Sequence, residues 1–168
     1  FHAAGELGMP VVLHLDVPYL VKDRKPVYQP NWYGGTVENL ERALIACPNT
    51  IFIGHAPGFW REISGSALTD SEAAPKGRVT GEGRLYRLLD TYPNLMADLS
   101  ANSGLNALRR DPEHAQSFVE RYADRLLFGR DYYGGDLHAF LQTLNLCPDT
   151  VEKIYFRNAQ RLLELRMA

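Results

Sequence analysis

TIFIGHAPGFW, residues 50–60, joins a short apolar run to a histidine and then to a rigid loop. The run is rich in β-branched and aromatic residues, which is typical of a buried strand. Pro57 and Gly58 then interrupt it and indicate a turn. A second run of the same kind, PVVLHLD (Pro10–Asp16), also carries a histidine near its end. Strands that are apolar nearly throughout predict a parallel sheet with both faces covered.

Outward from this stretch, strand patterns alternate with helix patterns along the chain. The predicted strands are Pro10–Asp16, Thr50–Ala56, Asn94–Asn102 and Arg125–Asp131, and the predicted helices are Thr36–Cys47, Gly81–Tyr92, one within Pro112–Tyr122, and Thr150–Leu165. The opening FHAAGELG is typical of the last turns of a helix that stops at Gly8. This alternation predicts an α/β fold of right-handed βαβ units around a parallel sheet.

The loops differ in length between the two ends of the predicted sheet. Connections from helix to strand are tight, whereas the connections that follow the first two strands, residues 16–35 and 57–81, are long. Loops of more than about 12–15 residues in a compact domain are usually functional. Long loops at the carboxyl ends of the strands predict that this edge of the sheet holds the active site.

The composition is that of an ordinary globular domain. The chain has 168 residues, a net charge of −2 and no basic stripe, which argues against nucleic acid as a partner. No apolar run approaches the ~20 residues that span a bilayer. Two cysteines do not suggest a disulfide scaffold, so we expect a cytoplasmic protein without a membrane partner. No domain boundary is visible, and residues 1–168 are interpreted as one domain.

Three of the four predicted strands end on a residue of the type that binds metals. His14 ends the first strand, His55 the second and Asp131 the fourth. Because the carboxyl ends of parallel strands meet at one edge, these side chains are expected to converge. Imidazole nitrogen and carboxylate oxygen are ligands of catalytic zinc and related divalent ions. Asp98 on the third strand could orient a ring nitrogen from behind, as metal-binding histidines require.

Other candidates are weaker. We interpret His2 and His114 as surface residues, and His138 as structural although it follows the last strand end. No G-x-S-x-G nucleophile elbow and no G-x-G-x-x-G after a strand is present, which argues against a serine hydrolase and a dinucleotide. The aromatic residues of the two long loops could either pin the loops to the body or line a substrate pocket. The candidates for substrate contact are Trp32, Phe59 and Trp60.

With these motifs, the chain resembles the C-terminal half of an amidohydrolase-superfamily barrel. The segments that carry the likeness are GMPVVLHLD, IFIGHAPGFW, NLMADLSANSGL, RLLFGRD and IYFRNAQRLLEL, and the nearest branch is the amidohydrolase-2 group with its aminocarboxymuconate-semialdehyde decarboxylase-like enzymes. The resemblance implies a TIM (β/α)8 barrel of which this chain supplies the last four units. It implies that His14 and Asp131 are metal ligands, with Asp131 also a general base. His55 would bind a second metal or contact the attacking water and the substrate.

The chain departs from the family pattern in two places. The His-x-His pair of the family's first strand is absent from this sequence, and we interpret the absence as truncation of the first half. Arg130 stands before the final aspartate, where the family usually has a small residue or threonine. Strand alternation predicts that Arg130 points away from Asp131, which would leave the site intact.

The expected function is that of a metal-dependent hydrolase acting on a small organic substrate. A divalent ion, most simply zinc, lowers the pKa of bound water from ~16 towards ~7. Asp131 would accept the proton, and His55 would stabilise the developing oxyanion or position the water. Two alternatives stay open: non-oxidative decarboxylation at a similar metal site, and a non-catalytic half-barrel. Four βα units cannot close a barrel, so the chain is expected to self-associate or to pair with a missing N-terminal half.

Overall fold

A computed structural model of the protein describes residues 1–164. The strands are β1 (Val11–His14), β2 (Tyr19–Lys22), β3 (Lys25–Tyr28), β4 (Phe52–His55), β5 (Leu95–Asp98) and β6 (Leu126–Leu127). The helices are α1 (His2–Glu6), α2 (Val37–Ala46), α3 (Pro57–Trp60), α4 (Arg84–Thr91), α5 (Ala101–Arg109), α6 (Pro112–Arg121), α7 (Asp136–Thr143), α8 (Pro148–Glu152) and α9 (Asn158–Glu164). One π-helical turn, Lys153–Arg157, joins α8 to α9.

Four strands form one parallel sheet in the order β1-β4-β5-β6. In its register His14 on β1 lies opposite His55 on β4. Farther along, Gly54 pairs with Ala97, and Asp98 pairs with Leu127. The strands therefore lie side by side in the order in which they follow one another in the chain, with helices in the connections between them. The predicted α/β fold with a parallel sheet is confirmed.

Alternation along the strands separates two apolar clusters. Phe52 and Leu95 point into the main core, which the helices cover. Ile53 and Met96, one position on, point to the opposite face and pack with Leu162 of α9. Alternate residues of a strand face opposite sides of the sheet, so both clusters follow from the period of two. The sheet is thus covered fully on one side and only partly on the other.

Several elements of the structure were not expected. A two-stranded antiparallel hairpin of β2 and β3 occupies the first long loop, and α7 follows the last strand. The predicted strand 94–102 stops at Asp98 because α5 begins at Ala101.

The start of the chain forms helix α1, as expected. The backbone at Gly8 has a positive φ of 64°, as a helix stop requires. Leu165, the last residue of the predicted C-terminal helix, lies outside the described residues.

The sheet has two open edges, β1 and β6. Val12 of β1 is 60% exposed, and β6 pairs over only two residues. The central strand β4, in contrast, is buried along its whole length. Unpaired strand edges expose backbone hydrogen-bonding groups, which a closed barrel would satisfy. Among residues 1–164, no helix is long and apolar enough to cross a bilayer.

Candidate active site

The three metal-type residues of the strand ends line one cavity. His14 ends β1, His55 ends β4 and Asp131 lies shortly after β6, and all three border an open cleft of about 490 Å³. The ring centroids of His14 and His55 are 5.3 Å apart. Nε2 of His55 lies 3.9 Å from Oδ2 of Asp131. The structure therefore brings together side chains that are 117 positions apart in the sequence.

His55 is held from behind by Asp98. Oδ2 of Asp98 lies 3.0 Å from Nδ1 of the imidazole, and the side chains are 19% and 9% exposed, respectively. Oδ1 of the same carboxylate accepts a 2.9 Å hydrogen bond from the backbone N–H of Ser100. A carboxylate on Nδ1 places the ring proton there and leaves Nε2 directed towards Asp131. Asp98 thus lies where an orienting partner of a metal-site histidine would lie.

This pair shifts the protonation of both residues. The hydrogen bond with Asp98 raises the pKa of His55, although burial alone would lower it. For Asp98, burial raises the pKa, but the hydrogen bonds with His55 and Ser100 outweigh it, so the net pKa is lowered. Each residue therefore favours the charged form of the other.

His14 is more loosely held than His55. Its side chain is 37% exposed, and Nε2 lies 3.2 Å from Oδ1 of Asp16. The ring stacks on Tyr33 with centroids 4.7 Å apart. The loop beside it approaches closely at Gly34, where a Cβ atom would lie 1.5 Å from the carbonyl oxygen of His14 and φ is +86°. Glycine is thus required for this loop to reach the end of β1.

The backbone turns sharply beyond three strand ends. Ala56, Ala101 and Asp131 have φ values of 80°, 59° and 61°. Left-handed conformations cost non-glycine residues roughly 1–2 kcal/mol each and cluster at functional sites. All three residues line the cavity that contains His55. Among residues 1–164, the other two non-glycine residues with positive φ, Asp23 and Arg24, form the turn between β2 and β3, so three of five such residues lie at the candidate site.

The donors fit a divalent cation in type and in location, but only as a partial set. Two imidazoles and a carboxylate face one cavity, which is the donor chemistry of catalytic zinc. Yet nowhere in residues 1–164 are three or more His, Cys, Asp or Glu side chains close enough together to hold a metal ion. Asp131, with a side chain 58% exposed, lies at the open side of the cleft. The described chain alone therefore does not assemble a complete coordination shell.

The assignment of Phe59 and Trp60 to a substrate pocket is wrong in this structure. Both side chains are 0% exposed and belong to the main core. The short helix α3 turns them inward: Nε1 of Trp60 donates a 2.8 Å hydrogen bond to the carbonyl of Asp98. Phe59 packs on Gly54, where a Cβ atom would lie 2.1 Å from the ring. These residues support β4 and β5 from the helix side.

The remaining sequence candidates lie away from the cleft. Trp32 donates a 3.1 Å hydrogen bond from Nε1 to the hydroxyl of Tyr28 and borders a separate hollow beside the hairpin. Arg130 donates from Nε to the carbonyl of Gly134, and it does not line the cleft, in keeping with the expected orientation. His138 contacts the hydroxyl of Tyr155 at 2.8 Å, consistent with a structural role.

One side of the cleft was missed by sequence reasoning. Asn102, Asn106 and Arg109 of α5 line it together with the strand-end residues. Their spacing of four and three residues places them on one face of a helix. This signal was present in SANSGLNALRR, but the segment 94–102 was interpreted as strand. The error concealed the polar face of α5.

Comparisons with known proteins agree with this architecture. The amidohydrolase family model for the amidohydrolase-2 group matches residues 1–165. An uncharacterized TIM-barrel protein from Bordetella bronchiseptica is similar in structure, with a TM-score of 0.60 and 22% sequence identity. The match covers 99% of this chain and 50% of that chain, so the fold described here spans half of a TIM-barrel protein. No curated protein matches the chain.

Proposed function

The chain belongs to the amidohydrolase-2 family, and from this premise we propose that it forms one half of the active site of a metal-dependent hydrolase. Enzymes of this superfamily generally depend on divalent metals. The proposed ion is zinc, and the proposed substrate is a small organic molecule that carries a hydrolysable bond. The observation that carries the proposal is the convergence of His14, His55 and Asp131 on one cleft.

The proposed roles follow from the position of each side chain. His14 and Asp131 would hold the ion, which when bound supplies positive charge that polarises the substrate and acidifies water. Asp131 would accept the proton of the attacking water. His55 would donate a hydrogen bond from Nε2 to the oxygen on which negative charge develops. Its raised pKa supports this role because it favours the doubly protonated ring, with one proton on Nδ1 towards Asp98 and the second on Nε2.

The hydrogen bond between His55 and Asp98 supports a preorganised site. A donor that is already oriented needs no rearrangement when charge develops in the transition state. The buried ring of Trp60 supports the same two strands through its bond to the Asp98 carbonyl. These contacts fix the direction of Nε2 without any contribution from the rest of a barrel.

The other half of the barrel would complete the site. The open edges of β1 and β6 and the partial set of donors support a second group of βα units, from a longer form of the chain or from a second copy. Light scattering of the purified chain separates these sources, since a second copy would give twice the monomer mass.

Zinc affinity of purified variants tests the proposed function. The apoprotein is titrated with zinc against a competing chelator, and wild type is expected to bind one equivalent. Replacing one ligand should weaken binding at least tenfold, ~1.4 kcal/mol, in both His14→Ala and Asp131→Ala. His138→Ala is the matched control, because this histidine is hydrogen-bonded to Tyr155 outside the cleft. Equal zinc affinity in all four proteins would refute the proposal.

A further inference from the structure

Helix α5 presents two different faces to its surroundings. Leu105 and Leu108 are buried in the main core. Asn102, Asn106 and Arg109 border the cleft that contains His55 and Asp131. Asn102 and Arg109 are exposed and Asn106 is half-buried, so the polar face of the helix lies at the solvent-accessible side of the cleft and is available to whatever the cleft binds.

Arg109 brings an uncompensated positive charge to the cleft. Across residues 1–164, its guanidinium takes part in no ion pair and no hydrogen bond. The neighbouring Arg110 differs, since it donates to the backbone carbonyls of Gly77 and Arg78. Arg110 therefore has a structural role, whereas Arg109 is exposed at the cleft and its donors have no protein partner among residues 1–164.

Asn102 and Asn106 determine which further hydrogen-bonding groups α5 presents to the cleft. The Oδ1 atom of Asn102 accepts a 3.2 Å hydrogen bond from the hydroxyl of Tyr132, which leaves its Nδ2 group as a free donor. Nδ2 of Asn106 donates to the carbonyl of Pro75 at 3.1 Å. That bond occupies the amide donor of Asn106, so the donors on the α5 side of the cleft are Nδ2 of Asn102 and the guanidinium of Arg109, which favour a ligand group that accepts hydrogen bonds.

The position of Arg109 separates it from the reacting side chains. The backbone N–H of Ala101 donates to the carbonyl of Arg130, so the start of α5 lies beside the segment that carries Asp131. Arg109 is eight residues farther along, about 12 Å at 1.5 Å per residue. Its side chain leans back towards the start of the helix, as helical side chains do. An anion held there would lie on the same side of the cleft as the reacting atoms but apart from them.

We propose that Arg109 anchors a carboxylate of the substrate, at a place distinct from the bond that reacts near His55 and Asp131. This inference rests on the proposed function and names its substrate class: an organic acid whose carboxylate is retained in the product. A planar guanidinium binds a carboxylate through two parallel hydrogen bonds. Ala56, Pro57 and Ala74 border the cleft and provide apolar surface for the body of such a molecule.

The test compares two probes that differ in charge. Benzoate and benzamide are nearly isosteric, and their affinities for the full chain are measured by calorimetry in a chelating buffer that removes metal. Wild type is expected to bind benzoate at least tenfold more tightly than benzamide. Arg109→Ala and Arg109→Gln should abolish this preference while leaving the affinity for benzamide unchanged. Arg42→Ala, which removes an exposed arginine of α2, is the control for net charge and should behave as wild type.

Each other outcome overturns the inference. A wild-type chain that does not prefer benzoate, Arg109 variants that keep the preference, or an Arg42→Ala variant that loses it would each do so. Because the measurement is made without metal, its result is independent of zinc binding. Equal zinc affinity in all four proteins of the zinc titration, together with an intact benzoate preference, would refute the proposed function alone. Weakened zinc binding in His14→Ala and Asp131→Ala, together with no benzoate preference, would refute only the carboxylate anchor.

Discussion

The centre and the edges of the sheet differ in how firmly they hold their site residues. His55 and Asp98 are on the central strands β4 and β5, and a hydrogen bond joins the buried His55 side chain to the half-buried Asp98 carboxylate. His14 ends the edge strand β1, and Asp131 follows the edge strand β6, with side chains 37% and 58% exposed. The sheet alone therefore orients His55, whereas it leaves His14 and Asp131 more exposed. How these two residues are held depends on what covers the edges.

The largest expected effect comes from breaking the support of the central strands. Trp60→Ala removes a fully buried ring and its hydrogen bond to the Asp98 carbonyl, and should lower the free energy of unfolding by about 3–5 kcal/mol. Val12→Ala on the exposed face of β1 should change it by no more than about 0.5 kcal/mol. Urea denaturation of both variants measures the contrast. Similar losses would contradict the distinction between centre and edge.

The next largest expected loss of unfolding free energy distinguishes the two histidine–carboxylate pairs. Asp98→Asn removes the charge behind the buried His55, and should cost about 1–3 kcal/mol of unfolding free energy. Asp16→Asn alters the more exposed pair with His14 and should cost less than about 1 kcal/mol.

The same substitution tests the direction of the His55 pKa shift. Since the hydrogen bond with Asp98 raises the pKa of His55, Asp98→Asn should lower it. NMR titration of the histidine ring protons in metal-free protein measures both values. In wild type, the stabilising contribution of the raised pKa is complete at low pH and is lost as the pH rises through the folded-state pKa. An unchanged His55 pKa in the variant would contradict the assigned contact.

The smallest expected effect on the free energy of unfolding comes from a contact between two helices, α2 and α4. Glu41 of α2 accepts hydrogen bonds from Arg87 and from the hydroxyl of Tyr92, at 2.8 Å each. The contact with Arg87 is the main reason that the pKa of Glu41 is lowered to about 2 from 4.5. Glu41→Gln should cost about 0.2–1 kcal/mol at pH 7, as an exposed ion pair does.

The pH dependence of that cost follows from the sign of the shift. A lowered folded-state pKa stabilises the protein above the unfolded value and loses this contribution as the pH falls towards the folded value. The difference between wild type and Glu41→Gln should therefore shrink between about pH 4.5 and about pH 2. Thermal denaturation along this range measures the difference, with Glu72→Gln as the control, because Glu72 is exposed and forms no ion pair or hydrogen bond within residues 1–164. A difference that grows on acidification would refute the assignment.

The sequence predicted the elements whose signal is periodic. The apolar strands and the helix 36–47 were recognisable because burial repeats with the period of the element. Thr36 caps this helix through a reciprocal pair of bonds with Asn39. The convergence of His14, His55 and Asp131 also followed, since parallel strands end at one edge. These predictions needed only local pattern and topology.

Other parts of the site could not be predicted because they depend on tertiary contacts. Phe59 and Trp60 were assigned to a pocket, since apolar residues in a loop give no sign of the side they face. The direction is decided by α3 and by the space above Gly54, which no periodicity encodes. The polar face of α5 was missed because strand and helix patterns overlap in NLMADLSANSGL. Short apolar runs are ambiguous in this way.

The left-handed residues at Ala56, Ala101 and Asp131 have a consequence for how such a protein can acquire new specificities. Of the three, Ala56 turns the backbone directly after β4, so the long loop that follows begins once the position of the His55 imidazole is set. Insertions and exchanges in loops are tolerated far better than in strands. Residues 68–74 of that loop are mostly exposed, whereas Phe59, Trp60 and Ile63 before them belong to the core and are kept. Replacing residues 68–74 with a segment of different length should reshape the entrance of the cleft at Ala74 while His55 keeps its orientation on Asp98, which makes the strand ends a constant frame for loop grafting.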